Sequence, residues 1–555
     1  MIERAFRGIW QTALVGGLAA GLGAPAWGQI VVDAPDFDKT LHLVETRMAE
    51  SGKDMVGVVL PMDLDVLAEA NHTVGQDMHE WRLTIRADGA LATCLHFDDF
   101  HLPAGATLRC LTPKGAFAEQ WTSAMVDATE NNAHHRWAND EVPGEEVELV
   151  LTMPLGTVEL PRLHVEGLGF FVRGTHFDAP FDAARGGAEA CQVDVNCPEG
   201  DSWQCERDGV VRLRITQSGG IFYCSGSMIN NTAKDCRQLM LTSLHCADEV
   251  DDDEWAYFKV QFNYEFSECG GTSSINSRTR TGVIPLTDSN DMANGQINGS
   301  DFLLVEVEDP ISIDWSPFFA GWDASGNPGH GGVGIHHPSG DRKKISTYTN
   351  TLSTSSAYAP GAHWRVNWVS TETNHGVTEG GSSGSPIFSE NHHIVGTLSG
   401  GSSFCSAPFA PDYYGKMSRH WSVNSQPDTL KLSRFLDPME TGQLAQHGSY
   451  KHVDEDGIER CDVVGSCDAT RVEESFLQAL TVGPNPTDGR VQVSVPHGAS
   501  LERVEVYDAM GRWVQTVQNP STAKRLSLDL QGKGLHYVTV RCVEGWSATR
   551  KVVVD

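Results

Sequence analysis

The sequence predicts a mainly β protein, and three observations carry that expectation. Short apolar runs with a two-residue period recur along the chain, among them "WRLTIRA", "VELVLTM", "GFFVRG", "VVRLRIT" and "DFLLVEVE". Gly- and Pro-rich turns separate them at regular spacing, which favours a barrel or sandwich over a βα repeat. Sustained helical periodicity is scarce, the best candidate being "SQPDTLKLSRFLDP". At 555 residues the chain exceeds what one core organises, so several domains are expected. Its hydrophobic fraction of 40%, with 14 Trp and 21 Phe, excludes a disordered chain.

The elements follow in order. Residues 1–28 read as a secretory signal: Arg4 and Arg7 open it, "TALVGGLAAGLGAPA" is its apolar middle, and "AWG" precedes Gln29 with small residues at the cleavage positions. That stretch is too short and Gly-rich to anchor well, and no later segment is apolar enough to span a bilayer, so no transmembrane segment is expected. Residues 29–185 form a β-rich domain, in which Cys94 and Cys110 flank "LHFDDFHLPAGATLR" and are expected to bridge a strand–turn–strand unit. Residues 186–448 form a second strand-rich domain. Residues 449–478 are polar and acidic and read as a linker; their "DEDG" lacks the later ligands of a calcium loop. Residues 479–555 form a compact strand-rich module.

Charge and cysteine content narrow the function. The formal net charge of −32, from 73 acidic and 41 basic side chains, argues against broad binding to nucleic acid or anionic membrane. Thirteen cysteines in an exported chain point to disulfides. None has the CxxC spacing of a zinc ribbon, so neither a metal nor another cofactor is expected. An odd total leaves at least one thiol unpaired within the chain, with Cys542 the candidate.

One string carries chemistry. "TEGGSSGSPIF", from Thr378, looks like a flexible linker until it runs into an apolar strand. A serine nucleophile needs an imidazole to take its proton, a carboxylate to hold the imidazole and N–H groups aimed at the oxyanion. Ser383 has Gly381 two residues before it and Gly384 after it, a layout that lets the N–H groups of Gly381 and Ser383 point into one hole. "LMLTSLHCAD" places His245 beside Cys246, and Asp301 opens the apolar strand of "NGSDFLLVEVE". The order His, Asp, Ser matches the chymotrypsin-type arrangement. The residues "GSSGS" formally match GxSxG, but an esterase or lipase of that kind would place its acid before its His, so chain order decides against it.

With these motifs in view, residues 186 to about 445 resemble the lysyl endopeptidase group of secreted bacterial trypsin-like proteases. The strings are "CQVDVNCPEGD", "CSGSMINNTAKD", "LTSLHC", "SDFLLVEV", "AGWD", "GIHHP", "GVTEGGSSGSPIF", "LSGG" and "DYYGK", in that order. The resemblance implies a chymotrypsin-like double β-barrel preceded by a β-rich pro-domain, with His245 as general base, Asp301 as its orienting partner and Ser383 as nucleophile. It implies the bridges Cys191–Cys405, Cys197–Cys269 and Cys224–Cys246, each worth roughly 2–4 kcal/mol. Cys205 and Cys236 are left over and are expected to pair.

The same resemblance puts a carboxylate for Lys or Arg substrates at Asp412 of "DYYGK", walled by Leu398, Ser399 and Gly400. Members strictly selective for Lys carry a His at the place of Ser399, stacked on a Trp; here "STYTNTLSTSSAYAPGAH" has no Trp, so a roomier pocket that also accepts Arg is expected. Gly186 lies where the family's mature enzyme starts, which suggests self-processing at Arg185–Gly186. Ser382 stands where trypsin zymogens carry the Asp that pairs with a new terminus, so activation is expected through pro-domain removal. The C-terminal strings "GPNPTDG", "VEVYDAMGRWV", "GLHYVTV" and "RKVVVD" resemble the type IX secretion sorting domain, a small β-sandwich. Together these imply an endopeptidase exported through the inner and outer membranes, with protein substrates and the type IX machinery as partners. A catalytically silent surface adhesin is the alternative.

Overall fold

The computed structural model describes residues 28–112, 122–173, 187–271, 277–293, 295–454 and 457–462, and most of 480–554. Residues 1–27 of the proposed signal segment and the Arg185–Gly186 bond lie outside these residues, as does the side chain of Cys542. Among the described residues, no helix is long and apolar enough to cross a membrane.

The leading domain is a β-sandwich. One sheet is built on the antiparallel strands Met78–Arg86, Glu146–Pro154 and Thr107–Leu111; the other on Asp54–Asp65, Arg162–Phe171 and Ala92–His101. Alternate residues of each sheet meet in one core: Leu83, Ile85, Val147, Leu149 and Leu151 against Leu95, Phe97, Val165, Leu168 and Phe170. The expected Cys94–Cys110 bridge does not form, because the strands that carry them never pair: Cys94 lies opposite Gly169 in one sheet, Cys110 opposite Leu149 in the other. A 15-residue helix, Phe37–Ser51, was not expected. Its signals are Asp36, which accepts from the Lys39 N–H as N-cap, Gly52 in the left-handed conformation at the end, and Phe37, Leu41, Val44 and Met48 on one face.

Two antiparallel sheets make up residues 187–450, each curled around its own core. The first runs Arg278–Thr281, Lys259–Phe262, Val210–Gln217, Gly220–Met228, Leu239–Thr242, Leu303–Val307, Val283–Asp288 in spatial order, around Val211, Leu213, Ile215, Met240, Val260, Val283 and Val305. The second runs Lys344–Tyr348, Gly332–His336, Pro386–Ser389, His393–Gly401, Asp412–Lys416, His363–Val366, around Ile387, Val395, Leu398, Trp364, Trp368 and Tyr414. A third cluster, with Ile229, Leu241, Phe302 and Leu304 on one side and Val333, Ile335, Phe388 and Ile394 on the other, joins the two. The expected helix is divided between a 3₁₀ turn, Asp428–Leu430, and the short helix Leu432–Leu436.

The leading domain does not sit apart. Its strand Asp54–Asp65 pairs antiparallel with Gly220–Met228, so one continuous sheet runs through both domains. This explains why every residue of Val210–Gln217 is buried: Val211, Leu213 and Ile215 face the barrel core, while Arg212 and Arg214 face the leading domain and meet Glu141. Burial pushes the Glu141 carboxyl up, but the two guanidinium groups outweigh it and hold the pKa at about 2.

Disulfides Cys191–Cys405, Cys197–Cys269 and Cys224–Cys246 are present. The expected Cys205–Cys236 pair is not: Cys236 bridges Cys461, and Cys205 is bonded elsewhere. Consequently the first part of the acidic stretch 449–478 is not a free linker. Ser449–Tyr450 pairs with Phe318–Phe319, and Cys461 is fully buried against the first barrel. The C-terminal module has a three-stranded and a four-stranded sheet closed over Val491, Val493, Val504, Val506, Val538, Val540 and Val552.

Candidate active site

Strand register builds the site. Leu239–Thr242 pairs with Leu303–Val307 so that Thr242 lies opposite Leu303. The residues just beyond that pair, Ser243 onward and Phe302 back to Asp301, therefore emerge side by side at the end of the barrel. The chain after Ser243 turns through a 3₁₀ segment, Leu244–Cys246, and the Cys246–Cys224 bridge ties that turn to the neighbouring strand.

His245 and Asp301 are thereby brought together. The Asp301 carboxylate accepts twice, from the His245 backbone N–H at 2.9 Å and from ring Nδ1 at 2.7 Å. With Nδ1 donating, Nε2 is left as the acceptor. Asp301 is fully buried; desolvation raises its pKa, but the His245 charge and hydrogen bonds outweigh this and hold the carboxyl below its ordinary value. Its backbone is left-handed, φ 59°, a conformation that costs roughly 1–3 kcal/mol in a non-glycine residue. Asp291 holds it there, accepting from the Asp301 N–H at 3.0 Å while bonded to Ser289 at 2.7 Å.

The Ser383 loop is clamped between both barrels. Ser225 donates its N–H to the Ser383 carbonyl at 2.8 Å and its hydroxyl to Gly381 O at 2.9 Å, and Gly384 donates to Leu398 O at 2.9 Å. Only glycine fits after Ser383: at φ 80°, a Cβ on Gly384 would lie 2.0 Å from Thr242 Oγ1 and 2.9 Å from Ser243 N. The loop thus abuts the backbone two residues before His245. Of the three serines, Ser382 and Ser385 are 0% exposed and Ser383 9%. Ser382 is occupied by His336 Nδ1 at 2.8 Å, and burial together with Lys344 holds the His336 pKa down at about 3, so that ring is a neutral support. The N–H groups of Ser382 and Gly384 are turned inward to Glu379 O and Leu398 O. Those of Gly381 (φ 82°) and Ser383 take no partner among the described residues.

Asp412 lies apart from this pair, fully buried at the start of Asp412–Lys416. Trp368 Nε1 donates to it at 2.6 Å, Thr378 Oγ1 at 2.7 Å, and Ser403 through its hydroxyl at 2.5 Å and its N–H at 3.1 Å. Desolvation prevails over these neutral donors and the pKa is raised. Leu398, Ser399 and Gly400 run along the neighbouring strand. Ser399 lies near enough to Asp301 to help hold that carboxyl below its ordinary value, and its hydroxyl is 3.0 Å from His363 Nε2.

Sequence reading missed Tyr358. Its hydroxyl would lie 2.7 Å from a Cβ on Gly400, and burial, then the charges of Asp301 and Asp412, push its pKa up to about 12. Both carboxylates are therefore within electrostatic reach of its hydroxyl. The only sequence signal was a lone aromatic in a Ser-rich loop.

Paired antiparallel barrels with a His–Asp couple and a glycine-flanked serine at their junction define the trypsin-like double-barrel class. Residues 185–415 match the family described as lysyl endopeptidase, C-terminal domain, and residues 481–555 match the secretion system C-terminal sorting domain. The resemblance read from the motifs therefore holds for both segments, and the sorting domain marks an exported protein. A lysyl endopeptidase of Pseudomonas aeruginosa is 30% identical over 310 residues, which are 53% of this chain and 61% of that protein; the chain thus spans less than two thirds of that relative's length. Among solved structures, a thermostable serine protease from an extremophilic microorganism is 16% identical, covering 38% of this chain and 93% of its own, at a TM-score of 0.27. The protease Anisep of Arthrobacter nicotinovorans is 17% identical, covering 38% and 90%, also at 0.27.

Proposed function

We propose that the chain is a secreted or surface-exposed serine endopeptidase that cleaves peptide bonds after Lys and Arg. The observation that carries this reading is the hydrogen bond of 2.7 Å between buried Asp301 and His245 beside the Ser383 loop. His245 Nε2 takes the Ser383 proton as the hydroxyl attacks the scissile carbonyl, and Asp301 fixes the tautomer and stabilises the imidazolium. The N–H groups of Gly381 and Ser383 receive the oxyanion. His245 then protonates the leaving amine, and water releases the acyl group by the reverse steps. A cationic side chain enters along Leu398–Gly400 and meets Asp412, whose neutral donors leave its charge uncompensated. Residues 29–185 serve as a pro-domain removed at Arg185–Gly186, and residues 481–555 engage type IX export.

A cleavage profile on a mixed peptide library tests this reading. Cuts after Lys and Arg, abolished by Ser383→Ala, are the expected result. Cuts elsewhere would overturn the specificity, and activity persisting in the alanine variant would overturn the nucleophile.

A further inference from the structure

The strand that joins the leading domain to the first barrel ends at the proposed active site. Asp54 lies opposite Tyr223 and Met55 opposite Phe222, immediately before the Cys224 that is bridged to the His245 turn. Upstream of Asp54, Lys53 forms an ion pair with Asp248, three residues past His245. Both side chains are largely buried, 9% and 12% exposed. Across the cleft, Asp54 lies against the Ser383 loop: one carboxylate oxygen is 3.3 Å from Arg173, and the other, buried without a partner, would be 3.1 Å from a Cβ on Gly381. Lys53–Asp54 thus bridges from the proposed oxyanion loop to the far side of the His245 turn.

Chain direction matters here. The segment begins beside the catalytic residues and runs away from them toward its C-terminus, hydrogen-bonded antiparallel to the edge of Gly220–Tyr223. That is the polarity of the leaving half of a peptide substrate, whose residues follow the cut bond. A sheet edge that accepts one extended strand accepts another, with backbone bonds giving affinity and side-chain sites giving selectivity.

We propose that Asp248 and the edge Gly220–Tyr223 form a leaving-side subsite for a cationic residue, and that Lys53 fills it in the intact chain. The inference rests on the serine endopeptidase reading and deepens it. Asp248, three residues past His245 and paired with Lys53, supplies the carboxylate of that subsite. Glu249, Asp251 and Asp252 follow it with exposed side chains, and Asp253 pairs with Arg136 of the leading domain, so without that domain the approach to the subsite is acidic. An enzyme built this way prefers substrates with basic clusters, reading one cation before the cut through Asp412 and another after it through Asp248. The intact leading domain competes for the second position.

The test uses the protein as it is secreted from full-length expression, with active sites counted by fluorophosphonate titration of Ser383. Peptides share a Lys before the cut and carry Lys, Ala or Glu at the two positions after it; mass spectrometry reads cleavage at that single bond. The expected kcat/KM is at least about tenfold higher for Lys than for Glu after the cut, with the preference inverted by Asp248→Lys. Asp248→Asn, which keeps the side chain's size, should level the preference and serves if the reversal does not fold. Equal rates on all three peptides, or a Lys preference that survives both variants, overturns the subsite. Failure of Ser383 to label strikes the underlying enzyme reading instead.

Discussion

Asp301 and Asp412 are both fully buried, yet their pKa values move in opposite directions. Burial pushes both up. Asp301 has its partner within the fold, since His245 lies at 2.7 Å, and that interaction outweighs desolvation. Asp412 is met only by neutral donors from Trp368, Thr378 and Ser403, and desolvation prevails. A buried carboxylate that is fully hydrogen-bonded yet lacks a counter-charge is costly unless something brings one. The difference separates a carboxylate whose partner lies within the fold from one that has no counter-charge there.

Four experiments probe the difference between Asp301 and Asp412. The largest effect is expected from Asp301→Asn, which keeps the shape but reverses the hydrogen bond to His245 and should lower kcat by about 10⁴-fold, measured on a Lys ester. Next, Asp412→Asn should lower kcat/KM for Lys and Arg peptides by about 10²–10³-fold, the cost of leaving a buried substrate cation unpaired, while fluorophosphonate still titrates Ser383. A comparable loss on uncharged substrates would show that Asp412 is structural.

A smaller effect follows from pH. Asp412, with its raised pKa, takes a proton as pH falls before Asp301 does. Binding of a small alkylamine inhibitor should therefore weaken by about tenfold per pH unit below the Asp412 pKa, and Asp412→Asn should flatten the profile. In stability the signs are opposite. Asp301, depressed on folding, contributes stability that is present above its ordinary value of 3.8 and is lost as pH falls through its folded pKa. Asp412, raised on folding, opposes stability once it ionises. The smallest effect is expected from Tyr358→Ala, which opens the space beside Gly400 and should raise the Arg-to-Lys ratio of kcat/KM by about tenfold.

What could be read from the sequence was what local pattern encodes. Two-residue periodicity located strands such as Val210–Gln217, and the Gly pattern around Ser383 signalled a tight turn because Gly384 has no room for a Cβ. The three disulfides implied by the resemblance came with its motifs. Long-range packing was not legible. Cys236 finds Cys461 across 225 positions, and Cys94 misses Cys110 because consecutive strands enter different sheets. The helix Phe37–Ser51 did carry its capping and periodic signals, but they sat inside a segment dominated by strand-like runs. Nothing local marks Lys53 or Tyr358, whose surroundings are assembled from three separate stretches of chain.

In the proposed mechanism His245, held by Asp301, activates Ser383 and not one of its neighbours. Mass-spectrometric mapping of the fluorophosphonate adduct tests it most directly. A single adduct on Ser383, formed far more slowly in Asp301→Asn, is the expected result. An adduct on Ser382 or Ser385, or one formed at the same rate without the Asp301 carboxylate, would contradict it.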